Sequence, residues 1–169
     1  MAGPDLHRRA FLRGRSPKLN KMAIRPPWTL PFDAFVEQCS RCDNCIEACP
    51  ENILIKGDGN YPEIDFSRGE CTFCEKCANS CEEAVFLTEQ RSTKDAWALQ
   101  VNVLDSCLSL NRITCRSCGD HCETRAIRFQ IQVGGIARPI IEQGQCTACG
   151  ACVYVCPNQS IEIKQTEGA

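Results

Sequence analysis

Histidine is scarce in this 169-residue chain, which has only His7 and His121. Neither stands in a pattern suited to proton transfer. His7 lies in a basic N-terminal stretch, and His121 sits between Asp120 and Cys122. There is no glycine-rich phosphate loop, no flavin or nicotinamide fingerprint, and no serine nucleophile elbow. No catalytic residue is expected, and the chain reads as a non-enzyme. No apolar run is long enough for a membrane span, and no secretory signal is visible. Nothing resembles a DNA-reading element, so nucleic acid is not an expected partner.

Cysteine is what the chain has in excess, with 16 residues in four groups. Cys39, Cys42, Cys45 and Cys49 form a C-x2-C-x2-C-x3-C-P run, as do Cys146, Cys149, Cys152 and Cys156. Cys71, Cys74, Cys77 and Cys81 repeat the spacing without the proline. Cys107, Cys115, Cys118 and Cys122 repeat it with seven residues in the first gap. This is the bacterial ferredoxin signature, whose thiolates hold [4Fe–4S] cubes. Structural zinc favours two separated C-x2-C pairs, and a disulfide framework needs a secreted context. No cysteine is left over, so sixteen thiolates make four [4Fe–4S] clusters.

In two-cluster ferredoxins the fourth cysteine of each run ligates the other cluster. From that motif class, cluster 1 takes Cys39, Cys42, Cys45 and Cys81, and cluster 2 takes Cys71, Cys74, Cys77 and Cys49. Cluster 3 takes Cys107, Cys115, Cys118 and Cys156, and cluster 4 takes Cys146, Cys149, Cys152 and Cys122.

The expected fold class is α+β, with two tandem ferredoxin-like units arising from an internal duplication behind a basic N-terminal arm. The expected boundaries are 1–28 for the arm, 29–95 for the first unit and 96–169 for the second. Each unit should carry a hairpin between its cysteine runs: Ile53–Lys56 with Pro62–Phe66, and Ile127–Val133 with Ile136–Glu142. Glycine-containing turns separate both pairs. Further strands are expected at Val85–Thr88, Ala98–Asp105 and Ile161–Lys164. Brief helices should run through Cys45–Cys49, Cys77–Cys81, Cys118–Cys122 and Cys152–Cys156. The polar stretch 89–95 is the expected junction, with Trp97 either a plug between the units or an ordinary core aromatic. Units of about 70 residues have marginal cores, so cluster binding should supply folding free energy and the apoprotein should be poorly folded.

The formal net charge is -2. Residues 1–28 carry seven basic residues against Asp5, a local +6, which leaves -8 for the rest. Four oxidised clusters would take that body to roughly -16, favouring cationic partners. His7 to Arg13 resembles a twin-arginine export signal, but no hydrophobic stretch follows. The arm is either a solvated tail or a docking arm with Trp28 anchored in a partner. Arg112 and Arg116 lie within the third run, between its first and third cysteines, and positive charge favours a reduced cluster, so the Cys107 cluster should have the highest potential.

The chain resembles the NapF family, ferredoxin-type accessory proteins of periplasmic nitrate reductase systems. The residues carrying the likeness are Arg8-Arg9, the Ile24-Arg25-Pro26-Pro27-Trp28 segment, Gly59-Asn60-Tyr61-Pro62, Trp97 and the widened Cys107–Cys115 gap. The likeness implies a cytoplasmic protein with four [4Fe–4S] clusters that associates with the molybdenum-containing catalytic subunit NapA. It also implies a role in maturing that subunit before export, by assisting assembly of its [4Fe–4S] cluster. An electron-transfer relay to a redox enzyme is the alternative. Two runs end in Cys-Glu, at Cys81-Glu82 and Cys122-Glu123, which leaves the ligands intact.

Overall fold

A computed structural model describes residues 19–88 and 91–166. The protein is a small mixed helix and strand fold built from short elements. In the first cysteine-rich region these are α1 (Phe32–Gln38), α2 (Asn44–Glu47), β1 (Leu54–Lys56), β2 (Pro62–Ile64) and α3 (Lys76–Asn79). In the second they are β3 (Leu99–Val103), α4 (Ser117–Asp120), β4 (Ile127–Ile131), β5 (Ala137–Ile141), α5 (Ala151–Tyr154) and β6 (Ile161–Gln165).

The helices α2, α3, α4 and α5 are single turns, each carrying the third cysteine of its run and ending before the fourth. Proline follows the fourth cysteine at Pro50 and Pro157, where it blocks continuation of the helix. Both hairpins form where the turn signals lie. β1 pairs antiparallel with β2, Leu54 opposite Ile64, and Gly59 in its turn adopts φ 65°. β4 pairs with β5, Ile127 opposite Ile141, and closes through Gly134 and Gly135 at φ 86° and 78°. Those left-handed values suit glycine.

The strand expected at Val85–Thr88 contracts to one bridge, Thr29 to Phe86. Flanking bonds run from Leu30 N–H to Val85 O at 2.9 Å and from Leu87 N–H to Trp28 O at 2.8 Å. Trp28 stands at φ 61°, so the extended run cannot continue past it. The corresponding pair in the second region, β3 with β6, keeps five partners, Leu99 opposite Gln165 through Val103 opposite Ile161.

The arm is where the structure departs most from expectation. Arg8-Arg9 and the rest of 1–18 lie outside the described residues, as do Glu89 and Gln90 of the expected junction. The stretch 23–28, however, is built into the body. Ala23, Arg25, Pro26 and Trp28 are buried, Trp28 only 2% exposed. Trp28 N–H donates to Ala96 O at 2.9 Å and its indole N–H to Ser92 O at 2.8 Å. The Trp97 indole donates back to Arg25 O at 2.9 Å, while Ile64 N–H donates to Ile24 O at 2.8 Å. This stretch is thus a strap tying the two regions together, and Trp28 fills a pocket of its own chain rather than a partner's. The physical reason is burial: a tryptophan withdrawn from water contributes more here than an exposed tail could.

Trp97 lies between the regions, with its ring centroid 6.0 Å from that of Phe66 and 5.5 Å from that of Phe73. The plug reading is the one the packing supports. Arg91 ties down the connection, with bonds to Leu87 O (2.8 Å), Glu75 (3.1 Å) and Asn79 (3.0 Å). The cores are separate: one gathers Phe35, Leu54, Tyr61, Val85 and Phe86, the other Val101, Ile127 and Ile161.

Candidate iron–sulfur sites

Four cavities hold the sixteen cysteines, four to each. Cys39, Cys42, Cys45 and Cys81 line one of about 350 Å³. Cys49, Cys71, Cys74 and Cys77 line one of about 360 Å³. Cys107, Cys115, Cys118 and Cys156 line a third of about 380 Å³, and Cys122, Cys146, Cys149 and Cys152 a fourth of about 340 Å³. In each quartet three cysteines come from one run and the fourth from the other run of its region.

Backbone conformation explains how the loops reach round these spaces. In the first, second and fourth runs the residue before the second cysteine is left-handed: Arg41 (φ 59°), Phe73 (φ 54°) and Ala148 (φ 54°). The residue after it is left-handed as well: Asp43 (71°), Glu75 (60°) and Gly150 (91°). These turns aim backbone N–H groups inward. Phe73 N–H reaches Cys71 Sγ and Ala148 N–H reaches Cys146 Sγ, both at 3.4 Å. Ser160 N–H reaches Cys156 Sγ at 3.2 Å. Such donors stabilise thiolate sulfur and form the concave nests that hold anionic clusters. Each non-glycine left-handed residue costs on the order of 1–3 kcal/mol, a strain tolerated where function requires the shape.

The third run solves the same problem differently. Arg116 adopts φ -137°, so the helix entry is not left-handed. The extra residues form their own turn, with Asn111 N–H to Cys107 O at 3.1 Å and Ile113 N–H to Leu108 O at 2.9 Å. The Asn111 side-chain amide bridges Asp105 O (2.8 Å) and Cys107 O (2.9 Å). Ser109 Oγ donates to Ala137 O on β5. The widened gap therefore folds outward and still delivers Cys107 to its cavity.

Burial pushes the thiols up. Cys45, Cys71, Cys77 and Cys152 rise to about 12 and Cys118 to about 11, each chiefly because the thiolate loses water. Neighbouring cysteines add to the rise. A cationic centre must therefore displace these protons, and it would supply the charge that burial denies them. Among the described residues no three His, Cys, Asp or Glu side chains converge on a single ion. A cube asks for another arrangement, one thiolate at each of four iron corners. Grouped thiols, inward N–H donors and apolar walls fit an iron–sulfur cluster.

Sequence reasoning missed the direct bond between ligand loops of the two regions. Cys71 N–H donates to Cys149 O at 2.8 Å, so two ligand loops from different cavities are bonded directly. Gly150 lies so close to Phe66 that a Cβ there would overlap the ring. A glycine at the helix entry of the fourth run, where the first two runs have acids, is the only trace of this in the sequence. Arg25 was also missed as a buried group. It pairs with Glu63 at 3.3 Å, donates to Pro62 O at 3.1 Å and lies over the rings of Phe35 and Tyr61. His121 is exposed, its Nδ1 3.0 Å from Ser117 O in its own helical turn.

The fold and its cysteine cages define a ferredoxin-type iron–sulfur protein. The family model for a 4Fe-4S dicluster domain matches residues 111–160. The ferredoxin-type protein NapF of Haemophilus influenzae is 44% identical over 99% of this chain and 100% of its own length. NapF of Escherichia coli is 43% identical over 93% of each. The methylamine utilization ferredoxin-type protein MauM of Methylorubrum extorquens is 30% identical over 82% of this chain and 70% of its own. The chain belongs to the NapF family of ferredoxin-type proteins. Among the described residues no helix is long and apolar enough to cross a membrane.

Proposed function

We propose that this protein is an accessory factor for the catalytic subunit of a periplasmic nitrate reductase, acting in the cytoplasm before that subunit is exported. It would assist assembly of the [4Fe–4S] cluster of NapA. Kinship to NapF proteins along nearly the whole chain carries this reading. Four [4Fe–4S] clusters are proposed, one per cysteine quartet: Cys39/42/45/81, Cys49/71/74/77, Cys107/115/118/156 and Cys122/146/149/152. The matching hairpins and single-turn helices support an origin by tandem duplication, with units at 29–95 and 96–169 preceded by a basic arm. Bound in these cages, the clusters would supply one-electron redox chemistry. The chain's own part is to bury their thiolates, direct N–H groups at sulfur and exclude water. A non-enzymatic role is part of the same proposal.

The deciding experiment isolates the catalytic subunit precursor from cytoplasm with and without this protein and measures its iron and acid-labile sulfide. Cluster-deficient precursor in its absence supports assembly. Full occupancy with slowed turnover supports the alternative of an electron relay. One observation favours the relay: the bond from Cys71 N–H to Cys149 O couples two cavities of different regions.

A further inference from the structure

We propose that the surface around the Cys107/115/118/156 cavity is a docking face for an acidic protein surface with apolar sockets. On the functional reading above, that partner is the reductase catalytic subunit. Residues 107–141 carry Arg112, Arg116, Arg125, Arg128 and Arg138 against Asp120 and Glu123, a local +3 on a body that is otherwise acidic. All five arginines are exposed. Elsewhere Arg25 is paired with Glu63 and Arg91 with Glu75, while Arg41 and Arg68 make no ion pair among the described residues. Among the described residues none of the five makes an ion pair.

Of these charges, Arg112 and Arg116 belong to the face at the cavity. The Arg116 guanidinium lies 5.0 Å from the Phe129 ring, and Phe129 lines the cavity. Arg128 and Arg138, opposite Ile140 and Gln130 in the register, alternate with Phe129 and stand on the other face of the hairpin. Ser109, three residues before Arg112, bonds to Ala137 of the same hairpin.

Apolar side chains share the face without cover among the described residues. β4 continues its inward-facing row of Ile127 and Phe129 past the core to Ile131, which is 80% exposed, and Val133 beyond is fully exposed. Ile113 in the widened loop is 54% exposed. The hairpin of the first region has no such face. Its strands are three residues long, and its turn packs under Leu19, whose side chain lies against Gly59. There the chain covers its own hairpin, whereas here no described residue covers the matching edge. Among the described residues, uncovered β-branched side chains beside Arg112 and Arg116 mark an interaction site, and the charge selects an acidic partner.

The test titrates anaerobically purified holoprotein against the catalytic subunit precursor at two salt concentrations. Unchanged visible absorbance of each variant certifies that its clusters are in place. The variant Arg112→Gln/Arg116→Gln should bind at least tenfold more weakly and lose most of the salt dependence. Ile131→Ser/Val133→Ser should weaken binding tenfold while keeping the salt dependence. Lys76→Gln/Lys94→Gln, outside the face, should bind as the parent does. Parent-like affinity of both face variants overturns the docking face and leaves the functional reading intact. No binding by the parent protein overturns both. A dimer of this chain that the face variants dissolve also overturns the proposal, since the occupant is then a second copy.

Discussion

The two cysteine-rich regions are alike at their sulfurs and unlike at their edges. Both wrap two cavities with single-turn helices and place a hairpin between the runs. The first region adds the strap 23–28, a core with Phe35 and Tyr61 buried in contact, and a short capped hairpin. The second has Val101, Ile127 and Ile161 as its buried aliphatics, no fully buried aromatic in that cluster, and a longer hairpin ending in solvent. Ligating four metal corners fixes the geometry near the cysteines, while the periphery is free to differ. The difference teaches that one region is braced by its own chain and the other leans on its clusters and on whatever it meets.

Removing iron should give the largest effect and break the likeness between the regions. Cluster binding supplies folding free energy in chains this small. Anaerobic chelation is expected to abolish amide protection across 99–165 while leaving partial protection around Phe35 and Tyr61. Hydrogen exchange by NMR or mass spectrometry reads this directly, and equal protection in both regions would refute the asymmetry. Next in size is Trp28→Ala, expected to cost about 3–5 kcal/mol because a buried indole leaves a void between the regions. Trp97→Ala should cost less, since Trp97 is only half-buried. Loss of the visible cluster absorbance on heating measures both.

Gly150→Ala tests the seam itself. A methyl group there meets the Phe66 ring, and φ 91° is a left-handed value that alanine resists. An expected loss of about 2–4 kcal/mol follows from strain plus overpacking. Gly144→Ala, where nothing stands in the way, should be near neutral.

The effect of pH on the metal-free chain is smaller and also unequal. A thiol raised by burial favours the fold while neutral. Its contribution is full below the ordinary value near 9 and disappears as pH climbs toward about 12. The first region holds three such thiols at about 12, Cys45, Cys71 and Cys77, against Cys152 at about 12 and Cys118 at about 11 in the second. Residual structure in the first region should therefore melt between pH 9 and 12. Iron uptake shows the opposite trend and should release protons, because each ligand must be deprotonated.

Cysteine spacing made the cages legible, because three ligands two residues apart leave the backbone few ways to surround a cube. Hairpins were legible where glycine marks a left-handed turn, at Gly59 and at Gly134-Gly135. The strap was not. Arg25-Pro26-Pro27-Trp28 follows a basic, polar stretch, and local composition there says nothing of a distant pocket waiting for the indole. That pocket is closed by Ala96 and Ser92, some 64 residues away in sequence from Trp28 at the Ser92 bond. The shortened 85–88 strand was hidden for a related reason, since its partner is the same strap. The seam between Cys71 and Cys149 depends on how two compact units meet, which no periodicity encodes.

The least effect is expected where the sequence promised the most, in the potential of the Cys107 cluster. Arg112 and Arg116 carry two positive charges beside that run, yet both are exposed, and Arg116 is turned onto the Phe129 ring. Water and salt screen an exposed guanidinium within about 10 Å, so its field on a buried cube is weak. The first, second and fourth runs add an inward-aimed backbone fold that the third lacks at Arg116, which works against a raised potential there. Arg112→Gln/Arg116→Gln should lower that cluster's potential by less than about 59 mV, a tenfold change for a one-electron couple. An EPR-monitored redox titration resolves this. A larger fall would mean that the arginines turn inward when the cluster is reduced, and would restore charge as what sets the third run apart.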